Sequence, residues 1–378
     1  MKDFTEALAS ISFIVLVLGF LYKKIKRSFL SEPIIALLSG ILLGPQVLNV
    51  LDMHNWGPFE KIMEVATQLT ISMALMATAL RIPKNYLKQA GLMQGILLSL
   101  GMLGMCAMST LLVHFILGVS WIFSFLIGAV VTPTDPVISA TVVSGETAKK
   151  LIPDRVRHAI SFESGANDGM AFPLVFLPLL LIQKPGKAWE EWLLKSILWE
   201  TGAAILFGLI IGYVAGKLLV KARDAGWMSK SVLLSFSLSL GFFVLSILEL
   251  IHCNGIIGVF AAGFAANQVL GEDEDIEQEG VQESMGRIFT IPIFMLFGLI
   301  LPWSDWMALG WNAVWIVVAI LLFRRLPVIL LLGPLLKKLP KMADLIIGRL
   351  VWPHWRSGAV LYDDQPEGDR CAGSMGSW

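Results

Sequence analysis

Asp135 and Asp168 each stand inside an apolar segment long enough to cross a lipid bilayer, and no other feature narrows the possible folds as much. The first segment reads SWIFSFLIGAVVTPTDPVISATVV, with Thr132-Pro133-Thr134-Asp135-Pro136 in its middle. The second reads VRHAISFESGANDGMAFPLVFLPLLLI and carries Glu163, Ser164, Asn167 and Asp168 in its first half. An ionisable side chain at mid-membrane depth is costly, so it marks an ion or proton path. Pro133 and Pro136 also break the backbone ladder, since each lacks an amide proton and crowds the preceding turn. Unpaired backbone at that depth survives only when buried in protein or lining a polar cavity. Secondary transporters build cation sites in this way, with freed carbonyls and helix ends facing the ion.

The rest of the chain agrees with a membrane setting. Of 378 residues, 56% are hydrophobic and 15% charged, against about 25% charged in soluble domains. The expected class is an all-α membrane protein. Its expected spans, each needing roughly 20 apolar residues, are 7–22, 33–51, 62–80, 90–117, 121–142, 157–183, 195–219, 230–251, 254–270, 285–302 and 308–335. Lys and Arg of the short loops set the orientation. They cluster after the first segment (Lys23, Lys24, Lys26, Arg27), the third (Arg81, Lys84, Lys88) and the fifth (Lys149, Lys150, Arg155, Arg157). They do so again after the seventh (Lys221, Arg223, Lys230) and the eleventh (Lys337, Lys338, Lys341). All fall on one side, which is then cytoplasmic, with the N-terminus outside. The acidic run GEDEDIEQE (271–279) reads as a solvated loop on that same side. A formal net charge of zero argues against a nucleic-acid partner. Cys106, Cys253 and Cys371 lack pairing or metal-ligand spacing and read as free thiols. KKIKR, not a small-residue cleavage site, follows the first segment, so no cleaved leader is expected. Gly40-x-x-x-Gly44 and Gly208-x-x-x-Gly212 read as close helix packing.

TPTDPV followed by FESGANDG resembles the signature of the monovalent cation:proton antiporters, in particular the NhaP-type sodium/proton exchangers. That branch carries Asn-Asp where the electrogenic branch carries Asp-Asp. The likeness runs from about Phe13 to about Gly348 and includes CNGIIGVFAAGFAAN (253–267) and FRRLPV (323–328). It implies an inverted-repeat antiporter fold with a helix broken at TPTDP, and a homodimer in the inner membrane. The implied activity is exchange of sodium (or lithium, or potassium) for a proton without net charge movement, using no cofactor.

An alkali cation is hard and takes oxygen ligands. Asp168 offers a carboxylate, and Asp135, Ser164 and the backbone carbonyl near Thr134 are candidates to complete the shell. Asp168 and Ser164 are four apart and share a helix face. The resemblance implies that Asp168 takes either the cation or the proton, and this competition couples the two flows. Asn167 is neutral, so only Asp168 titrates at the pair. The resemblance further ties Asn167 and Glu163 to an arginine of the eleventh segment; aligning the Pro and Val of FRRLPV favours Arg324 over Arg325. Some relatives add a glutamate on the third segment, where this chain has Thr70, Ser72 and Thr78, with Glu64 only near the start. His54, His114, His158, His252 and His354 fall near segment ends or loops and read as interface residues.

The tail departs from the family. Residues 1–348 form the expected transmembrane domain, and 349–378 an aberrant tail without helical apolar period. A permissive back-translation of Arg349–Tyr362, read one base later, spells GWFGPIGVAALFY, the family's next helix. The tail therefore reads as a frame-shifted twelfth helix, the inverted-repeat partner of the TPTDP helix, and the chain as written is expected to be inactive or poorly assembled. Alternatives are a potassium/proton antiporter, an intramembrane aspartyl protease using Asp135 and Asp168 (though its Gly-x-Gly-Asp signature is absent), and a non-transporting remnant.

Overall fold

The computed structural model describes residues 2–25, 31–53, 59–143, 148, 150, 152–227, 230–270 and 288–337. The acidic run 271–279, His54, His354, Cys371 and the tail 349–378 lie outside these residues. Among the described residues all regular structure is helical.

In chain order the helices are α1 (Lys2–Ile25), α2 (Glu32–Leu43) and α3 (Phe59–Leu80). There follow α4 (Tyr86–Leu117), α5 (Trp121–Val130), α6 (Pro136–Val143) and α7 (Asp154–Gln183). Next come α8 (Ala188–Asp224), α9 (Lys230–Leu250) and α10 (Gly255–Asn267). The last are α11 (Ile288–Leu299), α12 (Trp303–Leu309), α13 (Trp311–Phe323) and α14 (Leu326–Lys337). Two stretches widen into π turns, Leu97–Gly101 in α4 and Trp192–Ala203 in α8.

Each expected segment contains helix, but three are cut where proline chemistry predicts a cut. The second stops at Leu43, because Gly44 is extended (φ −69°, ψ 172°) ahead of Pro45. The fifth is split into α5 and α6 by Pro133 and Pro136. The eleventh stops at Phe323, just ahead of Leu326-Pro327, and resumes as α14. At 10 and 8 residues, α5 and α6 measure about 15 and 12 Å, so neither alone crosses a hydrocarbon core of about 30 Å. Among the described residues five helical stretches are long and apolar enough to cross, of which α8 with 37 residues is the longest. The number is six if α11 and α12, bent by 61° at Ile300–Pro302, count as one span.

The chain divides into two compact units, residues 1–325 and 326–378. Of the second, the described part is α14, an apolar helix with Pro334 inside it. Within the first, α10 packs against α3, α7, α8 and α9 and buries every residue except Ile256 and Phe264. A helix that is apolar all round has to be surrounded. Asn254 caps its start, accepting from the amides of Ile256 (3.0 Å) and Ile257 (3.3 Å). Asn267 closes its end by donating to the Ile82 carbonyl at 2.6 Å. A second cluster joins α1, α2, α3 and α11 through Ile14, Leu18, Ala36, Met63, Ile291 and Met295.

Glycines set the closest helix crossings, as the small-residue spacing suggested. A Cβ at Gly212 would lie 2.0 Å from the Ala262 carbonyl oxygen, and one at Gly40 2.0 Å from that of Met295. The obstacles are backbone atoms and cannot swing away. Gly212→Ala is expected to cost about 1–3 kcal/mol through overpacking, read as a lower Tm in detergent. Gly95→Ala, which meets nothing within 4 Å, is the control and should be neutral or stabilising.

Other helices keep large apolar side chains uncovered. α13 buries none of its residues, and Trp311 and Leu321 are more than three-quarters exposed, as is Phe20 of α1. Apolar exposure on this scale suits a lipid surrounding.

Candidate functional site

α7 presents three faces near its middle, and tertiary packing gives each a different environment. Gly165 and Gly169 face α10 at close range: a Cβ there would fall 2.3 Å from the Phe260 ring and 2.3 Å from Ile257 Cβ. Phe162 extends that seam, 5.6 Å from Phe260 between ring centroids. Glu163 with Asn167, and Ser164 with Asp168, take the two remaining faces at four-residue spacing. Both halves of the interrupted helix, α5 and α6, pack against α7, as does α3.

The interruption is held together locally. Thr132 Oγ1 donates to the Gly128 carbonyl at 2.7 Å. Asp135 Oδ1 accepts from the amides of Val137 (2.7 Å) and Ile138 (3.4 Å), capping α6. Pro136 follows as the first helical residue, the position where a missing amide proton costs nothing. Asp135 is exposed, so it combines a capping role with an accessible carboxylate.

The two arginines divide the work differently from the expectation. Arg325, not Arg324, pairs with Glu163: its Nη2 donates to Glu163 Oε2 at 2.7 Å, and its Nη1 donates to Thr134 Oγ1 at 3.3 Å. Arg324 Nη1 instead donates to the carbonyl of Val131, at the end of α5. The helix breaks at the Arg-Arg pair, so the side chains leave on different courses, which a one-dimensional alignment of Pro and Val does not register. Arg324 thereby satisfies an orphan carbonyl and brings positive charge to a helix C-terminus. Both arginines are half-buried inside the protein. Asn167 is tied to neither: it is fully buried, and among the described residues its Oδ1 and Nδ2 have no hydrogen-bond partner.

Ser164 is buried and donates to the Ser161 carbonyl at 3.3 Å. Asp168 is half-buried and, among the described residues, takes part in no hydrogen bond or ion pair. The fold therefore brings Arg325, and through it Thr134, to Glu163 in the acidic stretch of α7. It brings no acid from α3: Glu64 is exposed, Thr70 donates to its own Ala66 carbonyl at 2.7 Å, and Thr78 accepts from Arg81 at 3.1 Å. Of the histidines, His114 stacks on Trp121 with centroids 3.8 Å apart, and His252 sits in the α9–α10 turn. His158 lies inside α7, half-buried, with its ring 6.4 Å from that of Tyr86. Cys106 and Cys253 are buried free thiols.

A multi-pass helical membrane protein with an interrupted helix, packed on a helix that carries a carboxylate unpaired among the described residues, is the class these features define. The family model for the transmembrane region of sodium/hydrogen exchangers matches residues 10–353, and the chain belongs to that family. It is 29% identical over 326 residues to a Na(+)/H(+) antiporter of Saccharomyces cerevisiae, a match covering 84% of this chain and 33% of that protein. It is 28% identical over 320 residues to Na(+)/H(+) antiporter 2 of Zygosaccharomyces rouxii, covering 82% and 40%. A K(+)/H(+) antiporter NhaP2 from a Shewanella species is 26% identical over 210 residues, covering 54% and 34%. The chain thus spans about a third to two fifths of the length of these relatives. The solved structure of the sodium proton antiporter MjNhaP1 from Methanocaldococcus jannaschii has the same fold, with a TM-score of 0.71 at 16% identity, covering 91% of this chain and 84% of that one.

Proposed function

We propose that this chain is the membrane domain of a secondary antiporter that exchanges a monovalent cation for a proton at Asp168. The observation that carries the reading is the Asp168 carboxylate: it is half-buried, unpaired among the described residues, and stands on the helix against which both halves of the interrupted helix pack. A carboxylate in that position needs a cation or a proton to complete it, and one site serving both in turn couples their movements. Asp135, Thr134 and Ser164 supply the further oxygens a hard cation takes. With Asn167 neutral beside it, one titrating acid exchanges one proton for one cation, so transport is electroneutral.

In this reading the eleven helical segments each traverse the inner membrane, the shorter ones in pairs, and the chain acts as a homodimer. The N-terminus lies outside. Tryptophans 121, 189, 303, 306 and 311 stand at the starts of α5, α8, α12 and α13, opposite the Lys/Arg ends, where an aromatic belt belongs. Sodium is the cation the yeast relatives' names favour. Potassium is the second reading, favoured by the NhaP2 relatives, since oxygen ligands alone do not fix ion size. The frame-shifted tail remains part of the proposal: a restored twelfth helix would cross the α5–α6 interruption and complete the site.

The test is cation-driven proton release from proteoliposomes, run with the chain as written, the frame-restored protein and its Asp168→Asn variant. Exchange by the frame-restored protein that vanishes on Asp168→Asn is the expected result. Exchange that survives Asp168→Asn defeats the reading, equal exchange by the written and restored chains defeats the expected inactivity of the written chain, and sequencing of the gene around Gly348 decides the frame-shift.

A further inference from the structure

The first third of α8 carries a second buried acid that the exchange chemistry does not use. From Trp192 to Ala203 the helix runs in wide i→i+5 turns before returning to α geometry at Ala204, and π-helical segments often mark functional sites. Ser196, Glu200 and Thr201 are the buried residues of that stretch. The backbone there is hooked to the α9–α10 turn. The Asn254 amide donates to the Glu200 carbonyl at 2.8 Å, and Cys253 Sγ reaches the Trp199 carbonyl at 3.6 Å. Thr201 Oγ1 donates to the Ser196 carbonyl at 2.8 Å, across one wide turn.

The side chains of Ser196 and Glu200 are left over. Glu200 is 7% exposed and Ser196 not at all. Glu200 Oε1 lies 3.8 Å from Lys195 Nζ, while Glu200 Oε2 and Ser196 Oγ have no hydrogen-bond partner among the described residues. The start of α10 does not supply one, because Asn254 has already taken the Ile256 and Ile257 amides. Buried polar atoms are normally satisfied, and each exception calls for an occupant. The chemistry of the two atoms indicates which: a carboxylate oxygen and a hydroxyl oxygen suit a hard cation.

We propose that Glu200 Oε2 and Ser196 Oγ bind a monovalent alkali cation, at a second site distinct from Asp168. Both donors are oxygens, which suits an alkali ion and not a soft metal. Spacing of four residues in a wide turn puts them on one face. The bound ion would fasten the π segment of α8 to the α9–α10 turn, and so acts on stability without taking part in exchange.

The test uses the full chain purified in detergent, with Asp168→Asn removing the transport carboxylate. Tm is measured against NaCl and LiCl, with choline chloride holding ionic strength constant. The expected result is a saturable rise in Tm with sodium or lithium that persists in Asp168→Asn and is lost in Asp168→Asn/Glu200→Gln. Asp168→Asn/Ser196→Ala should raise the half-saturating concentration about tenfold, the loss of one contact to a charged partner, and serves if the Gln variant does not fold. A cation response that disappears with Asp168→Asn alone, or that is unchanged by both second substitutions, overturns the proposal and leaves water as the occupant. The readout needs no transport, so failure of the exchange reading would leave this result standing.

Discussion

Arg325→Ala is expected to destabilise the folded protein by about 3–5 kcal/mol, because it strands Glu163, whose carboxylate is buried, without a countercharge. Arg325 also donates to Thr134 at 3.3 Å, so the same change loosens the interruption between α5 and α6. Arg324→Ala removes only a charge-assisted bond to the Val131 carbonyl, which predicts a smaller loss of about 1.5–3 kcal/mol. A double-mutant cycle separates the two positions. Glu163→Gln should couple strongly with Arg325→Gln and weakly or not at all with Arg324→Gln, read from Tm in detergent. Strong coupling to Arg324 instead would restore the pairing expected from the FRRLPV alignment.

The second large effect concerns the two acids proposed to hold the ion. In the frame-restored protein, Asp168→Asn should reduce cation-driven proton release to that of empty vesicles, with Tm preserved, since the side chain has no partner among the described residues to lose. Asp135 requires two substitutions, because its Oδ1 also caps α6. Asparagine keeps an acceptor at the cap and removes the charge; alanine removes both and should cost about 1 kcal/mol more in stability. Impaired exchange in Asp135→Asn at unchanged Tm would identify the carboxylate as a cation ligand. Full exchange in Asp135→Asn with weakened folding in Asp135→Ala would reduce Asp135 to a capping residue. The competition proposed at Asp168 adds a sign: if a proton on the carboxylate excludes the cation, the half-saturating sodium concentration rises as pH falls.

Much of this was legible in one dimension, and the reasons are local. Proline lacks an amide proton wherever it stands, so the interruption at Thr132–Asp135 follows from Pro133 and Pro136. Four-residue spacing puts Ser164 with Asp168 and Glu163 with Asn167 on any α-helix. Gly208 and Gly212 announced a close crossing because a residue without a side chain lets two backbones approach. These are properties of neighbours in the chain, and the chain order alone determined them.

What only the tertiary structure decided involves groups far apart in sequence. Whether Arg324 or Arg325 meets Glu163 depends on how the backbone bends before Pro327, and one residue of difference sends a guanidinium to α7 or to the end of α5. The orphaned Asn167, and Glu200 with Ser196 in the wide turns of α8, have no signature in the sequence. A buried polar atom is unsatisfied only in relation to every other element packed around it, and that relation exists once the helices have been brought together.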